Sequence, residues 1–449
     1  MKKRVLLGSL AAVAAVASLA SCNSEKTPAN WGKDNSGSVI NIHAWNDEFK
    51  VFFEKYVSDE KVSSKEEGAP TTYHLDGVKV EWTITPSENA AYQTALDAAL
   101  ENQDNASADK KVDMFLAEAD YILKYAGANV TQDVKELGVT DFSNIYNYTK
   151  QAASDKKGVV KGVSFQCCPS GLIFNRVIAR DLWGEDVTDA EVAAKLDTWE
   201  EFDAVAAEAK AKGYLMTACD AETYRVFSNN AKTPWVDKNN NLKIPQAVLD
   251  WMDQAKTYVD NGYTTADDVW GSLKVDNIKA DANKALCCFG PAWYYNFCMG
   301  DSKAGDWGLV EGPQAHFWGG TWLLAAAGSD NTDAVAKIMN AFINDEEVCE
   351  KLIKNEGQFT NNQKVNAEVA NAADFEGNAF LGGQNDTKLF LELAKNIKFE
   401  NTTVYDQHCN EKIQAYYREY LLGTVTKEKA LANFYKYISD TFPGVNVPK

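Results

Sequence analysis

The chain has 449 residues, with 45 Lys and Arg against 64 Asp and Glu, a formal charge of −19, and 45% of it is hydrophobic. That composition belongs to a foldable globular protein rather than a disordered or fibrous one, and the length calls for two lobes rather than a single core. So acidic a chain repels phosphate backbones and anionic lipid headgroups, which argues against nucleic-acid and peripheral-membrane partners and leaves uncharged or cationic ligands.

Lys2, Lys3 and Arg4 precede an apolar run from Val5 to about Leu19. The run is shorter than the ~20 residues of a membrane-spanning helix, and its small-residue end reads as a secretory signal over residues 1–21. Leu19-Ala20-Ser21-Cys22 resembles the lipobox of bacterial lipoproteins, which implies cleavage before Cys22 and lipidation of its sulfur. Residues 22–37 are polar and broken by Pro28, Gly32 and Gly37, as in a lipid-anchored flexible tether. The expected location is extracytoplasmic, with lipid the only attachment to the cell membrane.

The body alternates strands and helices. Val39 to Ala44 alternates as a strand, and Phe49, Phe52, Phe53 and Tyr56 stripe a helix after it. Residues 58–76 are polar and read as a surface insertion. Val78 to Ile84 is a second strand, Tyr92, Leu96 and Ala99 mark a helix, and Val112 to Leu116 is a short apolar run suited to a buried parallel strand. This order predicts a parallel sheet covered by helices on both faces. Further strands are expected at Val159–Phe165, Leu172–Phe174 and Trp322–Ala327, with helices after Thr198, around 335–342, and at about 411–422 and 426–440. Asp237 to Lys243 lacks the glycine and terminal glutamate of a calcium loop and reads as a hairpin turn.

Eight cysteines follow Cys22. Without a C-x-x-C pair, and with two adjacent pairs at 167/168 and 287/288, they suit neither zinc nor a redox dithiol. They read as buried small hydrophobes, with disulfides as the alternative. No Walker loop, G-x-G-x-x-G, H-E-x-x-H or G-x-S-x-G occurs; the nearest hydrolase elbow, Gly162-Val163-Ser164-Phe165-Gln166, lacks its final glycine. The four histidines are scattered. The sequence therefore points to no catalytic residue, metal or cofactor. It offers instead aromatics at loop positions beside carboxylates and amides. That mixture suits sugars, whose C–H faces pack on rings while carboxylates accept from hydroxyls at ~1.5–3 kcal/mol per charged hydrogen bond.

From about Val39 onward the chain resembles the extracellular solute-binding lipoproteins of carbohydrate ABC importers, the maltose-binding-protein-like family. The resemblance rests on Val112-Asp113-Met114-Phe115, on Gly162 through Asn175, on Thr198-Trp199-Glu200-Glu201-Phe202 to Gly213, on Asn283 through Gly290-Pro291-Ala292-Trp293, and on Gly319-Gly320-Thr321-Trp322 with Ala334–Ile343. Each motif is weak alone; their order and spacing carry the likeness. It implies an α/β, periplasmic-binding-protein-like fold of two lobes joined by a hinge, with the ligand cleft between them. Lobe one would take residues 38–165 plus 320–360, and lobe two 166–319 plus 361–449. The ligand-facing residues implied are Trp45, Asp47, Glu48, Asp120 and Tyr121 from the first lobe, and Glu222, Tyr224, Trp293, Tyr294 and Trp318 from the second. Cys409-Asn410 stands where the family's maltose-binding member stacks a tryptophan, which argues against maltodextrin. The implied partners are a carbohydrate and ABC permease subunits, reached by a monomer that performs no catalysis. A lipoprotein glycoside hydrolase and a surface glycan-binding lipoprotein without a permease are the alternatives.

Overall fold

A computed structural model describes residues 32–62 and 71–448. The signal segment 1–21, the lipidation site Cys22 and tether residues 22–31 lie outside the described residues. The rest of the expected tether is fastened to the body. The Asp34 amide donates to Thr332 Oγ1 at 3.0 Å, the Gly37 amide to the Asp330 carbonyl at 2.8 Å, and the Asp333 amide to Asn35 Oδ1 at 2.8 Å. Polarity alone had suggested a free segment here; the open amides at the start of the helix Thr332–Asn344 hold it instead.

Twelve strands form two sheets among the described residues. The first contains β1 (Val39–Ala44), β2 (Glu60–Val62), β3 (Thr72–Leu75), β4 (Val78–Ile84), β5 (Met114–Glu118), β6 (Gly162–Ser164) and β12 (Thr321–Ala325), in the order β2-β3-β4-β1-β5-β12-β6. The second contains β7 (Pro169–Asn175), β8 (Leu215–Thr217), β9 (Ala285–Gly290), β10 (Trp307–Val310) and β11 (His316–Phe317), in the order β10-β7-β9-β8 with β11 beside β7.

β4, β1 and β5 pair in parallel, as the β-α-β-α-β pattern predicts, but the sheet is mixed. β12 runs antiparallel to both β5 and β6 because the chain re-enters this sheet from the other one. Part of the expected surface insertion forms the edge, with β2 and β3 antiparallel to each other and β3 antiparallel to β4. Alternation survives in β1, where Ile40, Ile42 and Ala44 are fully buried. β7, β9 and β12 are buried along their whole length, and β9 and β12 read as near-continuous apolar runs.

Helices cover both faces of each sheet. On the first, Phe49, Phe53, Phe342 and Ile343 pack against one face, and Tyr92, Leu96, Tyr125 and Trp322 fill the other. On the second, Phe202, Val205 and Met216 lie on one side, with Tyr294, Tyr295 and Phe390 opposite. A further core joins the helices Gln246–Asn261, Asp406–Leu421 and Lys427–Thr441 through Trp251, Tyr417 and Phe434. No described helix is long and apolar enough to cross a membrane.

Three segments connect the sheets: 165–168 after β6, 318–320 before β12, and 357–362 after the helix Glu346–Glu356. The second and third pair with the first. The Cys167 amide donates to the Phe359 carbonyl at 2.8 Å and the Trp318 amide to the Cys168 carbonyl at 3.1 Å. Asn361, fully buried, pins this junction: its Oδ1 accepts from the Tyr146 amide at 3.0 Å and Thr149 Oγ1 at 3.1 Å, and its Nδ2 donates to the Ser164 carbonyl at 3.0 Å.

Candidate functional site

The carboxyl ends of the central strands face a common cleft, the place where open α/β sheets present their loops to ligands. β1 runs into Trp45, β5 ends on Glu118, and β9 leads through Pro291 to Trp293 at the start of the helix Ala292–Cys298. The cleft encloses about 820 Å³. Its first-sheet side carries Trp45, Glu48, Gln93, Glu118, Asp120 and Tyr121, and its second-sheet side Arg225, Trp270, Trp293 and Phe297. Trp318, Gly319 and Gly320 close the floor. Gly319 has φ +75°, and a Cβ there would lie 3.4 Å from both Glu118 Oε1 and Trp293 Nε1, so only glycine lets this connection pass between the walls without strain.

The aromatic side is a stack. Trp293 Nε1 donates to the Trp318 carbonyl at 3.2 Å, and the two rings meet edge-on with centroids 5.1 Å apart. Trp270 lies nearly parallel to Trp293, 6.4 Å between centroids at 8°, and is 58% exposed. Across the cleft Trp45 packs edge-on against Tyr92 and Tyr121 at 5.7 and 6.3 Å.

The polar side is acidic. Burial pushes Glu48 up to about 7, although Gln358 Nε2 donates to it at 3.2 Å. Burial, with the charge of Asp120, pushes Glu118 up to about 8 against the opposing pull of Arg225. Arg225 grips Asp120 with both terminal nitrogens, Nη1 to Oδ1 at 2.8 Å and Nη2 to Oδ2. This ion pair joins the two sides of the cleft, as does the hydrogen bond from Gln93 Nε2 to Gln407 Oε1 at 3.2 Å. Gln407, Glu411 and Gln414 reach the cavity from one face of the helix Asp406–Leu421.

Six of the ten expected ligand-facing residues border this cavity: Trp45, Glu48, Asp120, Tyr121, Trp293 and Trp318. Four do not. Asp47 is exposed ahead of the helix Glu48–Tyr56. Glu222 is turned into the core by the turn Asp220–Thr223, where Oε1 accepts from Tyr294 Oη at 2.7 Å and Oε2 from the Phe289 amide at 2.9 Å. Tyr294 is fully buried as that partner. Tyr224 packs edge-on against Trp251 and donates to Asn410 Oδ1 at 2.6 Å. Asp120 borders the cavity, but both its oxygens already serve Arg225. Trp270 and Phe297, which the sequence reading passed over, stand there as exposed rings in a loop and on a short helix. Spacing i, i+4, i+7 along a helix was the available signal for Gln407, Glu411 and Gln414.

The eight cysteines are free and buried, at sheet positions such as Cys287 and Cys288 in β9. Among the described residues no cluster of three or more His, Cys, Asp or Glu is placed to hold a metal ion.

Two α/β lobes, three connecting segments and a cleft walled from both sides define a solute-binding fold. The profile of the bacterial extracellular solute-binding proteins matches residues 72–377, and the chain belongs to that family. A search of curated proteins finds no match. Solved structures share the fold at low identity. The galacto-N-biose/lacto-N-biose I-binding protein of an ABC transporter from Bifidobacterium longum, in complex with lacto-N-biose, is 14% identical with a TM-score of 0.65, over 92% of this chain and 100% of that one. An ABC-transporter-associated binding protein from B. animalis subsp. lactis Bl-04, in complex with beta-1,6-galactobiose, is 16% identical with a TM-score of 0.64, over 92% and 100%. The sugar-binding protein MalE from Xanthomonas citri is 14% identical with a TM-score of 0.64, over 90% and 97%.

Proposed function

We propose that this protein captures a sugar or oligosaccharide outside the cell and delivers it to the permease of an ABC transporter, without changing a covalent bond. The observation that carries the reading is the cleft: tryptophans on both sides and the floor supply faces for sugar C–H groups, and carboxylates and amides between them supply hydroxyl partners. Family membership supports solute binding, and the sugars named for the structural neighbours make carbohydrate the first class to test. Contacts divided between two lobes favour a closed state, so ligand shifts a hinge equilibrium about segments 165–168, 318–320 and 357–362. A lipid on Cys22 would keep the protein near its permease.

The test is thermal unfolding of the chain against a panel of mono- and oligosaccharides. A true ligand at 100 times its dissociation constant adds roughly 2.7 kcal/mol of stability, and chromatography returns it intact. Release of reducing sugar over hours would instead make the protein a glycosidase. No shift with any sugar would remove carbohydrate as the ligand class.

A further inference from the structure

The cleft holds more acid than the protein balances. Arg225, the one basic residue bordering the cavity among the described residues, is committed to Asp120, and Asp268 has Arg418 Nη1 at 3.5 Å. Glu48, Glu118 and Glu411 have no ion pair among the described residues and hydrogen-bond only to neutral donors, although the charge of Arg225 acts on Glu118 and those of Lys412 and Arg225 on Glu411. Glu118 Oε2 accepts from the Asp120 amide at 2.7 Å, Glu411 Oε1 from Gln407 Nε2 at 3.1 Å, and Glu48 Oε1 from Gln358 Nε2 at 3.2 Å. Two further groups border the same cavity incomplete. Gln93 and Tyr121 are each 6% exposed, and Gln93 Oε1 and Tyr121 Oη have no hydrogen-bond partner. Buried polar atoms normally have partners, so an unsatisfied pair in two residues that border a cavity marks where a partner is missing.

The open positions share a character. Gln93, Gln407 and Glu411 are joined in series by hydrogen bonds of 3.2 and 3.1 Å, and Glu411 is close enough to Glu118 for the two charges to interact. Gln93 Oε1, the second Glu411 oxygen and, once its carboxyl is ionised, Glu118 Oε1 are acceptors. An ammonium group carries three donors and no acceptor, and a tryptophan face attracts a cation. Resting on the carbohydrate reading above, we propose that the ligand is a sugar bearing a protonated amine, seated against Gln93, Glu118 and Glu411, and that anionic sugars are rejected. The charged groups acting on Glu118 are Asp120, Arg225 and Glu411, and burial with the Asp120 charge keeps much of its carboxyl protonated at neutral pH. An arriving ammonium ionises it and a proton leaves.

The experiment is calorimetry on the full chain at pH 7, in two buffers of different ionisation enthalpy. The probes are the β-1,4-linked glucosamine disaccharide, its N-acetylated form and cellobiose, with matched galactose-based sugars beside them. The free amine should bind about tenfold or more tightly than its neutral counterparts, with net proton release. Glu118→Gln should lose that preference, so that the amine sugar and its neutral counterpart bind alike. Glu411→Gln carries the same test should Glu118→Gln fail to fold, and proton release by the unaltered chain needs no variant. A neutral sugar that binds as well as its amine counterpart overturns this inference and leaves the carbohydrate reading standing. Binding by no sugar overturns both.

Discussion

Glu222 and Trp293 lie within one lobe, yet their loss should have opposite consequences. Glu222 is 2% exposed and its two oxygens serve Tyr294 and Phe289. Glu222→Ala strands a buried hydroxyl and a buried amide, each costing about 1–3 kcal/mol, so urea unfolding should show a clear loss of stability. Trp293 borders the cavity and touches Trp270, Trp318 and Phe297. Trp293→Ala should weaken ligand binding by about tenfold or more, ~1.4 kcal/mol, with the far-ultraviolet spectrum intact. Unchanged affinity in calorimetry would take Trp293 out of the site. The two also mark what the sequence could tell. Trp45 and Trp293 were named as wall positions by the family resemblance, whose motifs fall where strands end, and both border the cavity. Glu222 and Tyr224 were named with them but lie buried, because a short 3-10 turn decides which way a side chain points and leaves no periodicity. The polar face of Gln407, Glu411 and Gln414 reads as an ordinary solvated helix until the opposite lobe is in place.

At the scale of elements, apolar patterning located β1, β4, β5, β6, β7 and β12 and the parallel course of β4, β1 and β5, but not the direction of β12. The antiparallel course of β12 reflects its entry from the other lobe, a long-range fact that no local window contains. The same geometry brings Asp120, just beyond β5, against Arg225 on the helix Tyr224–Ser228. The pair ties the two lobes together and so should bias the ligand-free protein toward closure. Removing one partner would leave a charge buried alone, so the informative change is the neutral double variant Asp120→Asn with Arg225→Gln. Small-angle scattering should show a larger radius of gyration for the double variant without ligand, restored when ligand is added. Identical scattering profiles would remove the pair from any role in closure.

For the molecule as a whole, buried acids set the response to pH. Burial pushes Asp113, Asp220 and Asp386 up to about 6, Glu48 and Asp406 to about 7, and Glu118 to about 8. The folded state therefore keeps protons that the unfolded chain, with carboxyls near ~4, has already released. Stability rises with pH only where the unfolded state binds more protons. His43, His316 and His408, lowered by burial to about 4, act that way below about 6.5. The six acids outnumber them, so stability falls as pH climbs from about 4.5 to about 8. Scanning calorimetry should record a declining Tm across that window, and Glu118→Gln should flatten its upper end. A Tm that climbs toward pH 8 would contradict this ordering.

The buried, unbonded thiols carry one more consequence. Cys167, Cys168, Cys219, Cys287, Cys288, Cys298, Cys349 and Cys409 are all free, so the described fold contains no disulfide for an oxidant to form. Protein refolded under dithiothreitol and protein refolded in air should melt alike, and Ellman's reagent should find these eight sulfurs only after guanidinium has opened the fold.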